Sequence, residues 1–506
     1  MQNEPLIANP LGWVQFKLFG GHRRMVVLAA FYAGLILLLH ILLYYAMQTV
    51  EPVDPLRRLV SMTYSFMLVV MAAVLLVGGT VAVKNAVQRD FTTDMISSHR
   101  LTAMSGETMA LGYLTGSLSQ IITLTLVNWF ACVILGLLSN ISFLVPTLAL
   151  VYLAGLTAVF CTLGMLFALC TRGKASIAVV MILAAVLSRT PVMEYFPGLS
   201  LLLGSFLFQD FPWNSPGQHV MGLVAASLAA QLAVAATLFL AAARKTWRDD
   251  VPAFTPGLAL ILLALSALIV AVGQRFVPPS YPGFIGGGWQ KIATQSVVGL
   301  AAVAVVAMLP VATATRRNAV WARRKALDPD WTEPRPRHWL LLTLLAGGIA
   351  LGIPAIILTG QLARYHEFWL PPLSSTPNAW GDHSVRSDGL PLALLGSGSV
   401  LAAFFVLPLV SLGGLLRVAY SAANKALWLI IAHFIVIWMM PPLVDLIIAN
   451  VSMRSANQPL SALMAVSPLG AWFITLRLAD GPLAPALAFH SLLAAGSLLL
   501  TARAKY

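Results

Sequence analysis

Long apolar runs alternate with short polar breaks along nearly the whole chain, and the length of those runs decides the fold class. A helix that crosses the hydrocarbon core of a bilayer needs about 20 mostly apolar residues. Runs of that order fall at 25–48, 60–83, 110–138, 143–170, 175–189, 219–243, 255–274, 293–315, 338–359, 390–416, 426–449 and 482–502. The pattern predicts an all-α integral membrane protein with about twelve transmembrane helices, since helices satisfy their own backbone in lipid. Two apolar segments do not fit the alternation. Leu199–Phe208, between turn-forming prolines in the stretch Arg189–Gln218, is too short to cross and reads as an external re-entrant segment. Val451–Gly481, with Pro459 and Pro468 around Trp472 and Phe473, reads the same way. If Leu460–Leu476 crossed instead, Arg503 and Lys505 would lie on the outside, against the charge rule for membrane proteins.

The polar breaks are unequal. The island Val87–Gly116, VQRDFTTDMISSHRLTAMSGETMALGYLTG, separates the run ending near Val83 from the one beginning near Ala110. Connections between helices usually need only a few residues. This one carries Lys84, Arg89, Asp90, Asp94, His99, Arg100 and Glu107, so contact with something outside the bilayer is expected. Asp90 and Asp94 stand four apart, on one face if the island is helical. Arg89, His99 and Arg100 can pair with acids on a partner. Ahead of the first run, Leu11–Met25 reads as a helix lying in the membrane interface. Leu11, Val14 and Leu18 share one face, Trp13 and Phe16 stand alongside, and basic residues follow.

Composition removes the soluble alternatives. Hydrophobic residues make up 59% of 506, charged residues 10%, and the mean hydropathy is +0.85, whereas a soluble domain has about a quarter of its residues charged. The net charge of +13 comes from short loops on alternate sides of the spans. Lys17, Arg23 and Arg24 precede the first, and the island follows the second. Arg172 and Lys174, then Arg244, Lys245 and Arg248, follow the fourth and sixth. The later loops repeat this with Arg316, Arg317, Arg323, Arg324, Lys325, Arg335 and Arg337, with Arg417 and Lys425, and with Arg503 and Lys505. Positive residues stay in the cytoplasm, so both termini are expected there, in the inner membrane if the source is bacterial. Each basic cluster abuts a span, where anionic headgroups account for it at about 1 kcal/mol per residue; nucleic acid is not needed. Cys132, Cys161 and Cys170 lie in apolar runs without metal or redox spacing. Arg23 and Arg24 precede a run too long for the core of a secretory signal.

Catalytic signatures are missing. There is no GxxxxGK[ST] phosphate loop, no HExxH and no GxSxG in a fitting context, so no catalytic residue, cofactor or metal is assigned to this chain. Polar residues within the runs are few: His40, Gln120, Asn128, His433, Asp445 and His490. Intramembrane ionisable groups are functional candidates, but each of these fits a hydrogen-bonded structural role as well.

The breaks suggest duplication, with residues 1–24 as an interfacial helix, 25–245 as a first six-span domain and 246–506 as a more divergent second one. Parallel repeats of this kind occur in transporters. The order of interfacial helix, two spans, charged island, three spans, external half-helices and a sixth span resembles the ABC-2 type permease, the membrane subunit of ATP-binding-cassette exporters. The residues that carry the likeness are Asp90, Thr92-Thr93, Asp94-Met95-Ile96, Thr102-Ala103-Met104-Ser105 and Gly112-Tyr113, with Thr92 where that family usually has Gly and Ala103 where it usually has Pro. The resemblance covers about residues 10–245; the second half shares only the topology, and its loop 316–337 lacks the pattern. The resemblance implies that residues 84–109 form a coupling helix. Arg89, Asp90, Asp94, His99, Arg100 and Glu107 would contact a separate nucleotide-binding ATPase subunit, present as a dimer, that holds ATP and Mg and drives export. Other classes open to the sequence are a secondary transporter with two six-span repeats and a polytopic enzyme acting on lipid-linked substrates. The polar cluster for the latter is Arg364, His366, Glu367, Asp382, His383, Arg386 and Asp388 in the loop 360–389.

Overall fold

A computed structural model of the chain describes residues 9–50, 55–101, 104–138, 141–171, 218–247, 253–276 and 483–503, together with short stretches between 403 and 471. All regular structure among them is helical. The chain divides into two compact units, one formed by Met1–Thr190 with Ser200–Ala253 and the other by Pro191–Leu199 with Phe254–Tyr506.

In the first unit, α1 (Pro10–Leu18) starts where local chemistry dictates. Asn9 caps it, its Oδ1 accepting from the backbone N–H of Leu11 at 3.0 Å and Gly12 at 3.2 Å, and Pro10 opens the first turn without an N–H to lose. Gly20 (φ +104°) and Gly21 (φ +60°) then reverse the chain into α2 (Gly21–Val50), a turn that side chains with a Cβ resist. The next helix runs without a break from Pro55 to Thr92 as α3 (Pro55–Ala73), a π-helical turn at Val74–Gly78, and α4 (Gly79–Thr92). The π turn sits where neighbours crowd the helix. A Cβ at Gly79 would lie 3.2 Å from Leu118 and 3.3 Å from Thr157. After a short α5 (Met95–Leu101) come α6 (Gly106–Leu138), α7 (Leu144–Thr171) and α8 (Gln218–Trp247), the remaining described helices of the unit. At 1.5 Å per residue, the 33 residues of α6 extend about 50 Å, longer than a bilayer core, so one end projects beyond it.

Five of these helices are long and apolar enough to cross a membrane: Gly21–Tyr45, Phe66–Thr92, Gly106–Leu138, Leu144–Cys170 and Val224–Trp247. The protein is therefore a helical, multi-pass membrane protein. The most extensive packing joins α7 to α8, with α4 on α7 and α3 on α6. Tyr64, Met67, Met71, Leu75, Cys132, Leu135, Tyr152 and Leu156 form its apolar core. By contrast, α2 is hardly buried and presents Val27, Phe31, Leu35, Leu38 and Leu42 outward.

In the second unit, α9 (Pro256–Phe276), a π-helical segment Phe434–Met439 and α10 (Leu483–Arg503) are described. Ser467 donates to the Trp438 carbonyl at 2.6 Å, and a ring nitrogen of His490 lies 2.7 Å from the Val466 carbonyl. Residues 467, 468 and 471 of the expected re-entrant segment are buried. The expected spans at 175–189, 293–315 and 338–359, most of those at 390–416 and 426–449, the segment 199–208, and the loops 316–337 and 360–389 lie outside the described residues.

Two boundaries and one face differ from the sequence reading. The second span does not stop near Val83 but continues to Thr92, and the third begins at Gly106 rather than Ala110. The island is therefore mostly the ends of two long helices, since apolarity marks the lipid-immersed part of a helix and not its hydrogen-bonded length. α1 does not bury Leu11, Val14 and Leu18 as a stripe; it buries Leu11, Gly12, Gln15 and Phe16 against α6, leaving Trp13 and Leu18 exposed.

Candidate functional site

The residues of the island come together with α1 and α8 at one end of the first unit, around the carboxylate of Asp90. Asp90 stands near the end of α4 and is 1% exposed. Its Oδ2 accepts from the Tyr113 hydroxyl of α6 at 2.8 Å and from Gln15 Nε2 of α1 at 3.1 Å, and His99 Nε2 of α5 lies 3.3 Å away. A carboxylate withdrawn from water needs such donors, because an unpaired buried charge is costly. Gln15 also accepts from Arg89 Nη2 at 2.9 Å through its Oε1, so one amide bridges the neighbouring cation and anion of α4. The Arg89 guanidinium lies 5.5 Å over the ring of Phe19.

Small residues let α1 come close enough for this. A Cβ at Gly112 would fall 2.8 Å from the Leu11 Cβ, and one at Gly116 would fall 2.6 Å from the Gln15 Cβ and against the Gly12 carbonyl. Glycines four apart on α6 make a groove for α1, the same device by which small residues bring membrane helices into contact. Asn9 Nδ2 donates to the Thr108 carbonyl at one end of this groove, and Gln120 Nε2 donates to the Phe19 carbonyl at the other.

α5 is tied down on its other side by Arg100. Its Nε donates to the carbonyl of Thr246 at 2.8 Å and its Nη2 to that of Lys245 at 3.2 Å, both at the end of α8. A cation on the carbonyl-rich end of a helix is favoured by the helix dipole and satisfies acceptors that the helix leaves open. Thr246 in turn donates to the Gly106 carbonyl at 3.1 Å, closing a ring from α5 through α8 to the start of α6. Ile96 is the buried apolar contact of α5.

The six island residues singled out by sequence thus fall into two groups. Arg89, Asp90, His99 and Arg100 are engaged inside the protein; Asp90 is buried and His99 lies against it, so neither stands at the surface for a partner. Asp94 and Glu107 are exposed. The expected helical face shared by Asp90 and Asp94 does not exist, because α4 ends at Thr92 and Asp94 occupies the turn at φ +56°. Thr92 and Thr93 close that helix end, each hydroxyl donating to the Arg89 carbonyl, and Asp94 Oδ1 accepts from Ser97 at 2.7 Å at the start of α5. The outward face left by this folding is Thr93, Asp94, Met95, Ser97, Ser98 and Leu101, with Leu101 90% exposed.

Gln15, Thr246 and the groove glycines were not anticipated as members of the site. The spacing Gly112-x-x-x-Gly116 and the Asn9-Pro10 cap are the signals that could have found them. Among the span polar residues, His40 Nδ1 lies 2.7 Å from the Ile36 carbonyl, and Asn128 exchanges hydrogen bonds with Tyr32 on α2 at 3.1 and 2.8 Å. Among the described residues no cluster of His, Cys, Asp or Glu is arranged to hold a metal ion. Comparison with known family models, with curated proteins and with solved structures finds no match.

Proposed function

We propose that this chain is the membrane-spanning permease subunit of an ABC-2 type exporter, driven by ATP hydrolysed on a separate nucleotide-binding subunit that docks against α5. The observation that carries this reading is the way α5 is held. It is a short helix between two long apolar helices, exposed on one side, while its other side is bonded to α4 through His99 and Asp90 and to α8 through Arg100. A force applied to its exposed face reaches α4 through the close His99–Asp90 contact and α8 through the hydrogen bonds of Arg100 rather than through a slack loop, as a transmission element requires. The resemblance in the motif Asp90 to Tyr113 points the same way, with cytoplasmic termini and export as its corollaries. The partner contacts then fall on Asp94, Glu107, Met95 and Leu101, and the buried members act by keeping α5 in place.

The test is co-expression with any ABC ATPase subunit found to be encoded beside the gene for this chain. A Leu101→Asp, Asp94→Lys double variant should insert and fold normally but retain the ATPase at less than one tenth of the normal yield, since losing a central interface contact typically costs roughly 2 kcal/mol or more. Normal complex formation by that variant, with loss on changing Arg323 and Arg324 instead, would move the docking element to the second half and refute the assignment.

A further inference from the structure

We propose that the corner between α1 and α2, with the outward face of α2, binds an anionic phospholipid. Its phosphate would sit among Lys17, Arg23 and Arg24, and an acyl chain along Val27, Phe31 and Leu35. This inference is independent of what docks on α5.

Lys17 and Arg24 fold over one turn, with Arg23 next to Arg24 in the first turn of α2. A Cβ at Gly20 would lie 2.5 Å from Arg24 Cδ, so the arginine stem folds back over that glycine, and Lys17 Cδ reaches to 3.5 Å of the Cβ position of Gly21 from the other side. The Lys17 ammonium lies 5.4 Å over the Trp13 ring, and the ring of His22 meets that of Phe16 edge-on at 5.3 Å. All four basic residues are exposed. Among the described residues no carboxylate stands within ion-pair distance of Lys17, Arg23 or Arg24. Asp90, the buried acid of this end of the unit, is occupied by Tyr113, Gln15 and His99. Arg23 and Arg24 also stand in the first turn of α2, where the helix dipole opposes cations and favours an anion.

What lies beyond the cluster identifies the anion as a lipid. Arg23, Val27, Phe31, Leu35, Leu38 and Leu42 recur at helical spacing on one face of α2. Val27 and Phe31 are 68% and 71% exposed, on the face of the span opposite Ile36 and Leu39, which pack on the core. A ligand matching both halves has a phosphate head joined to a hydrocarbon tail. Trp13 and Leu18, exposed on α1 beside the cluster, suit the interfacial depth at which such a head sits. Phosphatidylglycerol meets the charge requirement; phosphatidylcholine, whose choline cancels its phosphate, does not.

The experiment uses the full chain in phosphatidylcholine nanodiscs carrying traces of a phosphatidylglycerol, or a phosphatidylcholine, with a photoreactive group in its acyl chain. Phosphatidylglycerol should label peptides spanning Val26–Leu42 in preference to phosphatidylcholine. Unlabelled phosphatidylglycerol should compete and inorganic phosphate should not. Each basic residue near an anionic headgroup is worth about a fivefold preference, so Arg23→Gln with Arg24→Gln should lower the selective labelling by about tenfold or more. Arg23→Lys with Arg24→Lys should preserve it, and Arg244→Gln, exposed at the end of α8, should leave it unchanged. Equal labelling by the two lipids, or selective labelling that survives the glutamine substitutions, overturns the proposal. Competition by inorganic phosphate overturns it too, by showing a site for the free anion. If the glutamine variant fails to fold, the comparison of the two lipids on the unaltered protein decides alone.

Discussion

The first unit is held by different forces at its two levels. Around Tyr64, Met67, Met71, Cys132, Leu135 and Tyr152, helices α3, α6 and α7 meet through apolar packing. Around Asp90, helices α1, α4, α5 and α6 meet through a carboxylate, an amide, a phenol and an imidazole. The two levels lie on the same continuous helix, Pro55–Thr92, with the π-helical turn at Val74–Gly78 between them. Apolar packing inside a membrane gains little from the hydrophobic effect, because lipid is as apolar as the partner helix, so it is tolerant of substitution. A buried carboxylate is different in kind, since its partners exist to offset a desolvation cost that returns in full when one is removed. The polar level therefore fixes one arrangement of α5, while the apolar level fixes only that the helices stay together.

Substitutions can separate the two levels. Asp90→Ala has the largest expected effect. It strands the Tyr113 hydroxyl and the Gln15 amide nitrogen together and should lower stability by about 3 kcal/mol, with thermal unfolding in detergent as the measure; Asp90→Asn, which keeps an acceptor, should lose less. Next comes Gly116→Val, whose Cβ would meet the Gln15 Cβ at 2.6 Å. Overpacking of this kind costs about 2 kcal/mol, and proteolysis or hydrogen exchange at residues 9–19 should rise as α1 is pushed off α6. Met71→Ala, at the centre of the apolar level, should cost only about 1 kcal/mol, because dispersion is lost but little transfer energy; a loss as large as that of Asp90→Ala would erase the distinction. Last is Arg100→Ala, which removes two part-buried bonds to the Thr246 and Lys245 carbonyls at the end of α8. Global stability should fall by about 1 kcal/mol, while hydrogen exchange across Met95–Leu101 accelerates.

The legible and illegible parts of the fold differ for physical reasons. Apolar runs reveal spans because lipid admits little else, and the helices at Gly21–Val50, Gly106–Leu138, Leu144–Thr171 and Gln218–Trp247 lie on the runs read from sequence. The island was legible as a special segment because seven ionisable residues, Lys84 to Glu107, are far more than a turn needs. Which of them face inward was not legible. Asp90 and Asp94 at a four-residue spacing look equivalent along the chain, and only the end of α4 at Thr92 and the positive φ at Asp94 send one into the interior and the other to the surface.

By itself the sequence determined that the chain is helical and membrane-spanning, since its composition leaves no soluble alternative and helices close their own hydrogen bonds in lipid. It also determined where the breaks fall and where positive charge collects. Tertiary structure alone decided what the charges are for. A carboxylate becomes an internal strut or a surface contact according to the groups that other helices bring to it. Gln15, His99 and Tyr113 converge on Asp90 because Gly112 and Gly116 let α1 approach α6 and because the turn at Thr93–Asp94 folds α5 back, and none of those distances is written in the order of residues along a single helix.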